Sequence, residues 1–271
     1  MTYRQLAALL RNAGIPDPEV EARILLSEYC DATAADLADG DFADAALERA
    51  LARRLNREPL AYILGKQAFY GEEYFVSPAC LIPRPDTELL VDKMVKDLPR
   101  GARFLDLCTG SGCVAVSLAK HRPDTHGFAA DISPDALMLA RKNAAHNRVE
   151  NLEFFETDVR AAQWFETPFD AICANPPYIR SDVCDSLMPE VLHEPRLALD
   201  GGADGLDFYR AIFANFGDFL SPSGAFYFEF GYDQADGARD LAAGFGYRAT
   251  LLHDYGGNFR VAVFDKVRKN S

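Results

Sequence analysis

The chain has 271 residues, 49% of them hydrophobic and 25% charged, which is ordinary globular material and enough for one large domain or a standard domain plus a small one. Its 41 acidic against 28 basic residues leave a formal net charge of −13, which repels phosphates at long range and argues against non-specific nucleic-acid binding. No apolar run approaches the ~20 residues that span a bilayer, and the first residues, Met1 to Leu6, lack the apolar stretch of a signal peptide, so a cytoplasmic location is expected.

Residues 1 to about 65 read as helices. Thr2 can cap a first helix carrying Leu6, Leu9 and Leu10, and Gly14 ends it. Asp17-Pro18 starts a second, with Val20, Ala22, Ile24 and Leu25 among its apolar positions. A short helix is expected around Ala34–Ala38, and an amphipathic one from Asp44 to Asn56. Such a bundle is a marginal core alone. Residues 66–85 form a hairpin and connector: Gln67–Tyr70, a turn at Gly71, then Tyr74–Val76, followed by Leu81-Ile82-Pro83-Arg84-Pro85-Asp86-Thr87-Glu88. Asp86 or Thr87 is expected to cap a helix from Glu88 to about Lys96. The domains expected are therefore a helical 1–65, a connector 66–85 and a larger 86–271.

From Arg103 strands and helices alternate. Strands are predicted at Phe104–Leu107, Phe128–Asp131, Leu152–Phe155, Phe169–Ala174 and Ala225–Phe230. Helices are predicted over Cys113–Lys120, Pro134–Asn147 and Gln234–Ala243. Tyr247–His253 and Arg260–Phe264 close the chain as strands joined by a loop too short for a parallel crossover, so they should be antiparallel. Repeated βα units mean an α/β fold with a mostly parallel, doubly wound sheet of seven strands, preceded by a small helical bundle.

Three stretches carry chemistry. Asp106-Leu107-Cys108-Thr109-Gly110-Ser111-Gly112 joins the first sheet strand to a helix, and Gly110 and Gly112 allow positive φ and close approach of backbone to a ligand. Asp131 ends the next strand and can accept both hydroxyls of a ribose. With Ala115, the glycines also fit G-x-G-x-x-A, the dinucleotide pattern. Asp106 weighs against it: a carboxylate at the loop mouth repels a pyrophosphate but suits a cationic sulfonium. The third stretch is Asn175-Pro176-Pro177-Tyr178. Two prolines cannot continue a central strand, so the tetrapeptide sits in a loop at the C-terminal edge of the sheet, where ligands bind. The Asn175 side-chain carbonyl and the Pro176 backbone carbonyl make a rigid acceptor pair beside the aromatic face of Tyr178, suited to a planar –NH2 group. The bland alternative is a strand-ending turn.

Other residues have plainer readings. The six cysteines are scattered without a CxxC, and the five histidines show no metal-ligand spacing, so neither disulfides nor a metal are expected. His193 reads as surface loop, Trp164 as packing and Cys173 as a small core residue.

Acidic residue, glycine loop, second-strand acid and fourth-strand Asn-Pro-Pro-Tyr together resemble the class I methyltransferases that use S-adenosylmethionine. The Leu81–Glu88 stretch, Glu194-Pro195, Gly201-Gly202-Ala203-Asp204-Gly205-Leu206 and the N-terminal helices narrow the resemblance to the peptide chain release factor glutamine N5-methyltransferases, over essentially the whole chain. The resemblance implies S-adenosylmethionine held by Cys108, Thr109, Gly110, Ser111, Gly112, Asp131, Asp158 and Val159, with Asn175 touching it as well. It places the substrate clamp on Asn175, Pro176, Pro177 and Tyr178, with Asn175, Pro176 and Tyr178 as the catalytic positions. It implies as substrate the glutamine of a release factor Gly-Gly-Gln loop, with neither membrane nor nucleic acid as partner. This chain departs from the family at two positions. Cys108 stands where a glycine is usual, which requires its side chain to point away from the cofactor, and Val159 stands where some members carry an aromatic residue. Arg84, Thr87 and Glu88 match family positions without an assigned contact. The alternatives are a ribosomal-protein glutamine methyltransferase, an adenine amino-methyltransferase, and a module that only binds S-adenosylmethionine.

Overall fold

The computed structural model describes residues 1–161, 165–254 and 256–267, so Trp164 lies outside the described residues. The chain divides into two compact units: Met1–Lys66 with Leu187–His193, and Gln67–Ser186 with Glu194–Ser271.

The first unit holds α1 (Tyr3–Asn12), α2 (Pro18–Cys30), α3 (Asp36–Asp39), α4 (Ala45–Leu55) and α5 (Leu60–Leu64). Thr2 and Gln5 form a reciprocal capping box at the start of α1. Asp44 caps α4 by accepting from Ala46 N and Leu47 N. Leu6, Leu10, Leu25, Leu26 and Leu47 make the core. The sequence reading does not include α5, whose five residues are too few for a periodic signal. Nor did it see that Leu187–His193 belongs here. That segment is anchored by Glu190, whose carboxylate takes Arg54 Nη1 at 3.0 Å and Arg57 Nη2 at 2.8 Å. Arg54 is buried and also pairs with Glu21.

The second unit opens with the hairpin β1 (Lys66–Phe69) and β2 (Glu72–Phe75), turned by Tyr70-Gly71. Next come α6 (Glu88–Asp97), β3 (Arg103–Leu107), α7 (Cys113–His121), β4 (His126–Asp131), α8 (Pro134–His146) and β5 (Leu152–Glu156). The unit closes with β6 (Phe169–Ala174), α9 (Asp207–Phe216), β7 (Leu220–Glu229), α10 (Ala235–Gly244), β8 (Tyr247–His253) and β9 (Phe259–Lys266). The seven-stranded sheet runs in the order β5-β4-β3-β6-β7-β9-β8. All pairings are parallel except those of β9, which is antiparallel to both β7 and β8, as the short loop requires. The sequence reading passed over α9. Its aromatic run Phe208, Tyr209, Phe213 and Phe216 has weak helix propensity, and burial against the sheet decides its conformation.

Strand alternation gives each sheet face its own core. In β7, Phe226 and Phe228 pack with Tyr209, Ile212 and Phe213 of α9, while Ala225 and Tyr227 pack with Leu90, Val91 and Met94 of α6. Strand order reverses around β3, which lies between β4 and β6. The C-terminal ends of β3, β4 and β6 therefore open onto a crevice at the topological switch point.

Candidate active site

A cleft of about 710 Å³ opens there, lined by Cys108, Gly110, Asp131, Val159, Asn175 and Phe208 among others. A smaller cavity of about 400 Å³ shares Cys108, Gly110 and Asn175 with it and adds Arg84, Thr87 and Asp106.

The turn after β3 is built from within. Gly110 takes φ +55° and Gly112 φ +79°, both left-handed. A Cβ on Gly112 would lie 3.0 Å from the Ala140 Cβ, so this glycine serves the close approach of α7 to α8, and it lines neither cavity. Gly110 N donates to Asp131 Oδ2 at 2.9 Å, and Ser133 N donates to Asp131 Oδ1 at 2.9 Å. Two backbone donors thus hold Asp131 and leave about two of its four lone-pair sites for a ligand. Burial pushes its carboxyl up, and the backbone amides of Ser133, Gly110 and Ile132 oppose that shift. Cys108 sits at φ +57°, a conformation that costs a non-glycine residue about 1–2 kcal/mol. It packs partly against the core of the α9 face while also lining the cleft. Thr109 and Ser111 line the smaller cavity.

Asp106 is not the open carboxylate that its place in the sequence suggests. It is 1% exposed, and its oxygens are capped by Thr109 Oγ1 at 2.6 Å and by Cys173 Sγ at 3.5 Å. Burial pushes its pKa up to about 7. The cause is β3 itself, an interior strand, whose side chains are covered on both faces. Asp158 is paired with Arg160 at 2.9 Å, which holds its carboxyl below the usual range. Val159 is buried on the cleft wall, and Asn215 Nδ2 donates to its carbonyl at 2.9 Å. Phe208, from α9, is the aromatic side chain of that cleft among the described residues.

Among the described residues of the tetrapeptide, Asn175 and Pro177 line the cleft, while Pro176 is buried and Tyr178 packs against the core of the α9 face. Gln234 Nε2 donates to the Tyr178 carbonyl at 3.1 Å and fixes the loop from below. Asn175 Nδ2 donates to Thr87 Oγ1 at 3.2 Å. Asn175 Oδ1 is buried with no hydrogen-bond partner among the described residues. Thr87 was expected to cap α6, as was Asp86. Neither side chain does: Thr87 ends a 3-10 turn over Pro85–Thr87 and makes no side-chain cap, and Asp86 pairs with Arg260 at 3.1 Å. Glu88 accepts from Tyr70 N at 2.8 Å.

Two buried carboxylates have no role assigned from the sequence, where Glu194 figures only as part of a family match. Glu194 is 5% exposed, accepts from Ile82 N at 3.0 Å and pairs with Arg84, tying the Leu81–Glu88 connector to the loop after the tetrapeptide. Glu229 is 1% exposed at the end of β7, within reach of Thr87 and Asn175. Its neighbour pattern Phe228-Glu229-Phe230 was the available signal, an acid inside an aromatic strand. His193 is exposed in a 3-10 turn and Cys173 is fully buried in the α6-face core. No group of three or more His, Cys, Asp or Glu placed to hold a metal occurs among the described residues.

Residues 85–203 match the family model described as methyltransferase small domain, and residues 2–65 match the PrmC N-terminal domain. The chain is 40% identical to the release factor glutamine methyltransferase of Agrobacterium fabrum, over 94% of this chain and 93% of that one. It is likewise 40% identical to the release factor glutamine methyltransferase of Neisseria gonorrhoeae, over 91% of this chain and 93% of that one. Among solved structures, a methyltransferase from Pyrococcus furiosus superposes with a TM-score of 0.57 at 18% identity, covering 74% of this chain and 92% of that one. At that identity the likeness bears on the fold alone.

Proposed function

The chain belongs to the release factor glutamine methyltransferase family, and on that premise we propose that it methylates the side-chain amide nitrogen (N5) of the glutamine in the Gly-Gly-Gln loop of a peptide-chain release factor. S-adenosylmethionine supplies the electrophilic methyl group. The residues of the cleft fit that molecule: Asp131 keeps acceptor sites for a ribose, Gly110 lets the backbone come close, and Val159 and Phe208 offer an apolar wall for a base. The Asp131 carboxylate suits its positive charge, whereas Asp158 is already neutralised by Arg160.

The observation that carries the reading is the partnerless, buried Oδ1 of Asn175. An unpaired buried carbonyl costs on the order of 1–3 kcal/mol, and a substrate –NH2 is the donor that relieves it. The Pro176 carbonyl is the proposed second acceptor, and Tyr178 the wall behind it. An amide nitrogen is a weak nucleophile because its lone pair is delocalised. Two acceptors orient it and push electron density onto it. The nitrogen then sheds its extra proton to water. A glutamate in the same place sets carboxylate oxygens against acceptors and is rejected. The N-terminal helical unit is the proposed holder of the release factor, and a cytoplasmic location follows from such a partner.

The test is methyl transfer from labelled S-adenosylmethionine to purified release factor, with ribosomal protein and duplex DNA offered separately. Label on the release factor, lost when its Gly-Gly-Gln glutamine is replaced, is the expected outcome. Label on DNA or ribosomal protein alone overturns it.

A further inference from the structure

An asparagine amide has nearly the same shape at both ends, so only its hydrogen-bond partners decide whether O or NH2 faces a ligand. In this structure the partners behind Asn175 come from two distant segments. The β6–β7 ladder ends on the pair Ala174 with Phe228. One residue further along each parallel strand lie Asn175 and Glu229. Alternation turns Glu229 to the same sheet face as Tyr227, the face covered by α6. Thr87, 2% exposed, immediately precedes α6 and accepts from Asn175 Nδ2 at 3.2 Å. The Glu229 carboxylate lies within reach of Thr87 and Asn175, and its Oε2 is buried with no hydrogen-bond partner among the described residues. Arg260 is spent on Asp86 and Asp254.

A buried carboxylate so poorly compensated is costly to keep. Its backbone contact does not explain it: Tyr209 Oη donates to the Glu229 carbonyl at 2.5 Å, a bond any side chain leaves intact. We propose that Glu229, acting with Thr87, is a positioning residue that holds the NH2 end of Asn175 inward and so presents its carbonyl to the substrate. While ionised, the carboxylate is acceptor-only and admits one orientation of the Asn175 amide. A glutamine at the same place can donate as well as accept, and lets the amide turn over.

This inference rests on the reading of Asn175 as the acceptor for a substrate amide, and its experiment separates the two. Wild-type protein is first assayed for methylation of the release factor, which tests the parent reading alone. Thr87→Val, Thr87→Ser and Glu229→Gln are then compared for turnover, for cofactor Kd, and for the Kd ratio between release factor carrying glutamine and release factor carrying glutamate at the target position. Glu229→Gln and Thr87→Val are expected to lose roughly tenfold or more in turnover and a similar factor in the glutamine preference, with the cofactor Kd unchanged and Thr87→Ser close to wild type. A merely structural role lowers turnover with the glutamine-to-glutamate ratio unchanged, and that result overturns the proposal. Exchange of the Asn175 side-chain amide protons, followed by 15N NMR without substrate, gives a second reading independent of the reaction. Exchange should quicken in Glu229→Gln, and exchange equal to wild type rejects the proposal whatever the substrate proves to be.

Discussion

On the β3–β4 side of the cleft, Asp131 is held by the amides of Gly110 and Ser133, and Asp106 is capped by Thr109. On the β6–β7 side, Asn175 Oδ1 and Glu229 Oε2 are buried and have no partner among the described residues. The first side is a cradle, finished by short-range backbone contacts before any ligand arrives. The second keeps open valences, and its parts come from the connector before α6 and from the ends of β6 and β7. The contrast suits the proposed chemistry. A cofactor site must be ready on its own, whereas a site that reacts one amide among many gains selectivity from acceptors that only the right donor completes.

The largest effect expected is that of Asn175→Ala. Turnover should fall on the order of a hundredfold or more, by analogy with the loss of one transition-state hydrogen bond, while cofactor Kd from a titration stays near wild type. Normal turnover would erase the contrast between the two sides. Asp131→Ala should do the reverse: cofactor Kd weakens by roughly tenfold to a hundredfold, and turnover at saturating cofactor is largely kept. An unchanged Kd would remove its ribose role.

Glu229→Gln probes the cost of the open side through thermal unfolding against pH. Burial pushes Glu229 up to about 7, with Arg260 and the Asn175 and Thr87 hydrogen bonds opposing that shift and Asp86 adding to it. A carboxyl whose folded pKa is raised binds its proton more tightly folded than unfolded. Its stability contribution is therefore complete below pH ~4 and lost as pH rises through about 7. The variant should melt a few degrees above wild type at pH 8, with the gap closing by pH 4. A gap that does not change with pH would mean that the carboxylate is not strained in the fold. The smallest effect belongs to a control remote in the chain from both sides. Thr2→Ala removes the α1 capping box, costs about 1 kcal/mol and should leave turnover and cofactor Kd unmoved. A loss of turnover there would show that the first unit's stability governs the site.

The same contrast explains what reading the residues in order can find. Gly110 and Asp131 are 21 positions apart on consecutive βα units, and local turn chemistry brings them together, so both are legible. Asn175 is legible because two prolines force its strand to stop. Glu229 and Glu194 are not, because an acid in an apolar strand or loop reveals nothing of the partners it meets across 142 and 112 positions, Thr87 and Ile82. The burial of Asp106 was missed for a related reason: its exposure depends on β3 being an interior strand, which is a property of strand order.

The amino-acid sequence by itself determined the alternation of strands and helices, the seven-stranded sheet, the glycine turn with its acid, and the proline-terminated loop carrying Asn175. Each follows from periodicity, backbone restriction or turn chemistry acting over a few residues. Only the tertiary structure decided that α9 is a helix, that Leu187–His193 joins the first unit, that Asp106 is sealed, and that Thr87 turns from its helix end to Asn175 beside Glu229. Those outcomes depend on burial and on contacts between segments distant in the chain, and burial is a property of the assembled fold that no local stretch carries.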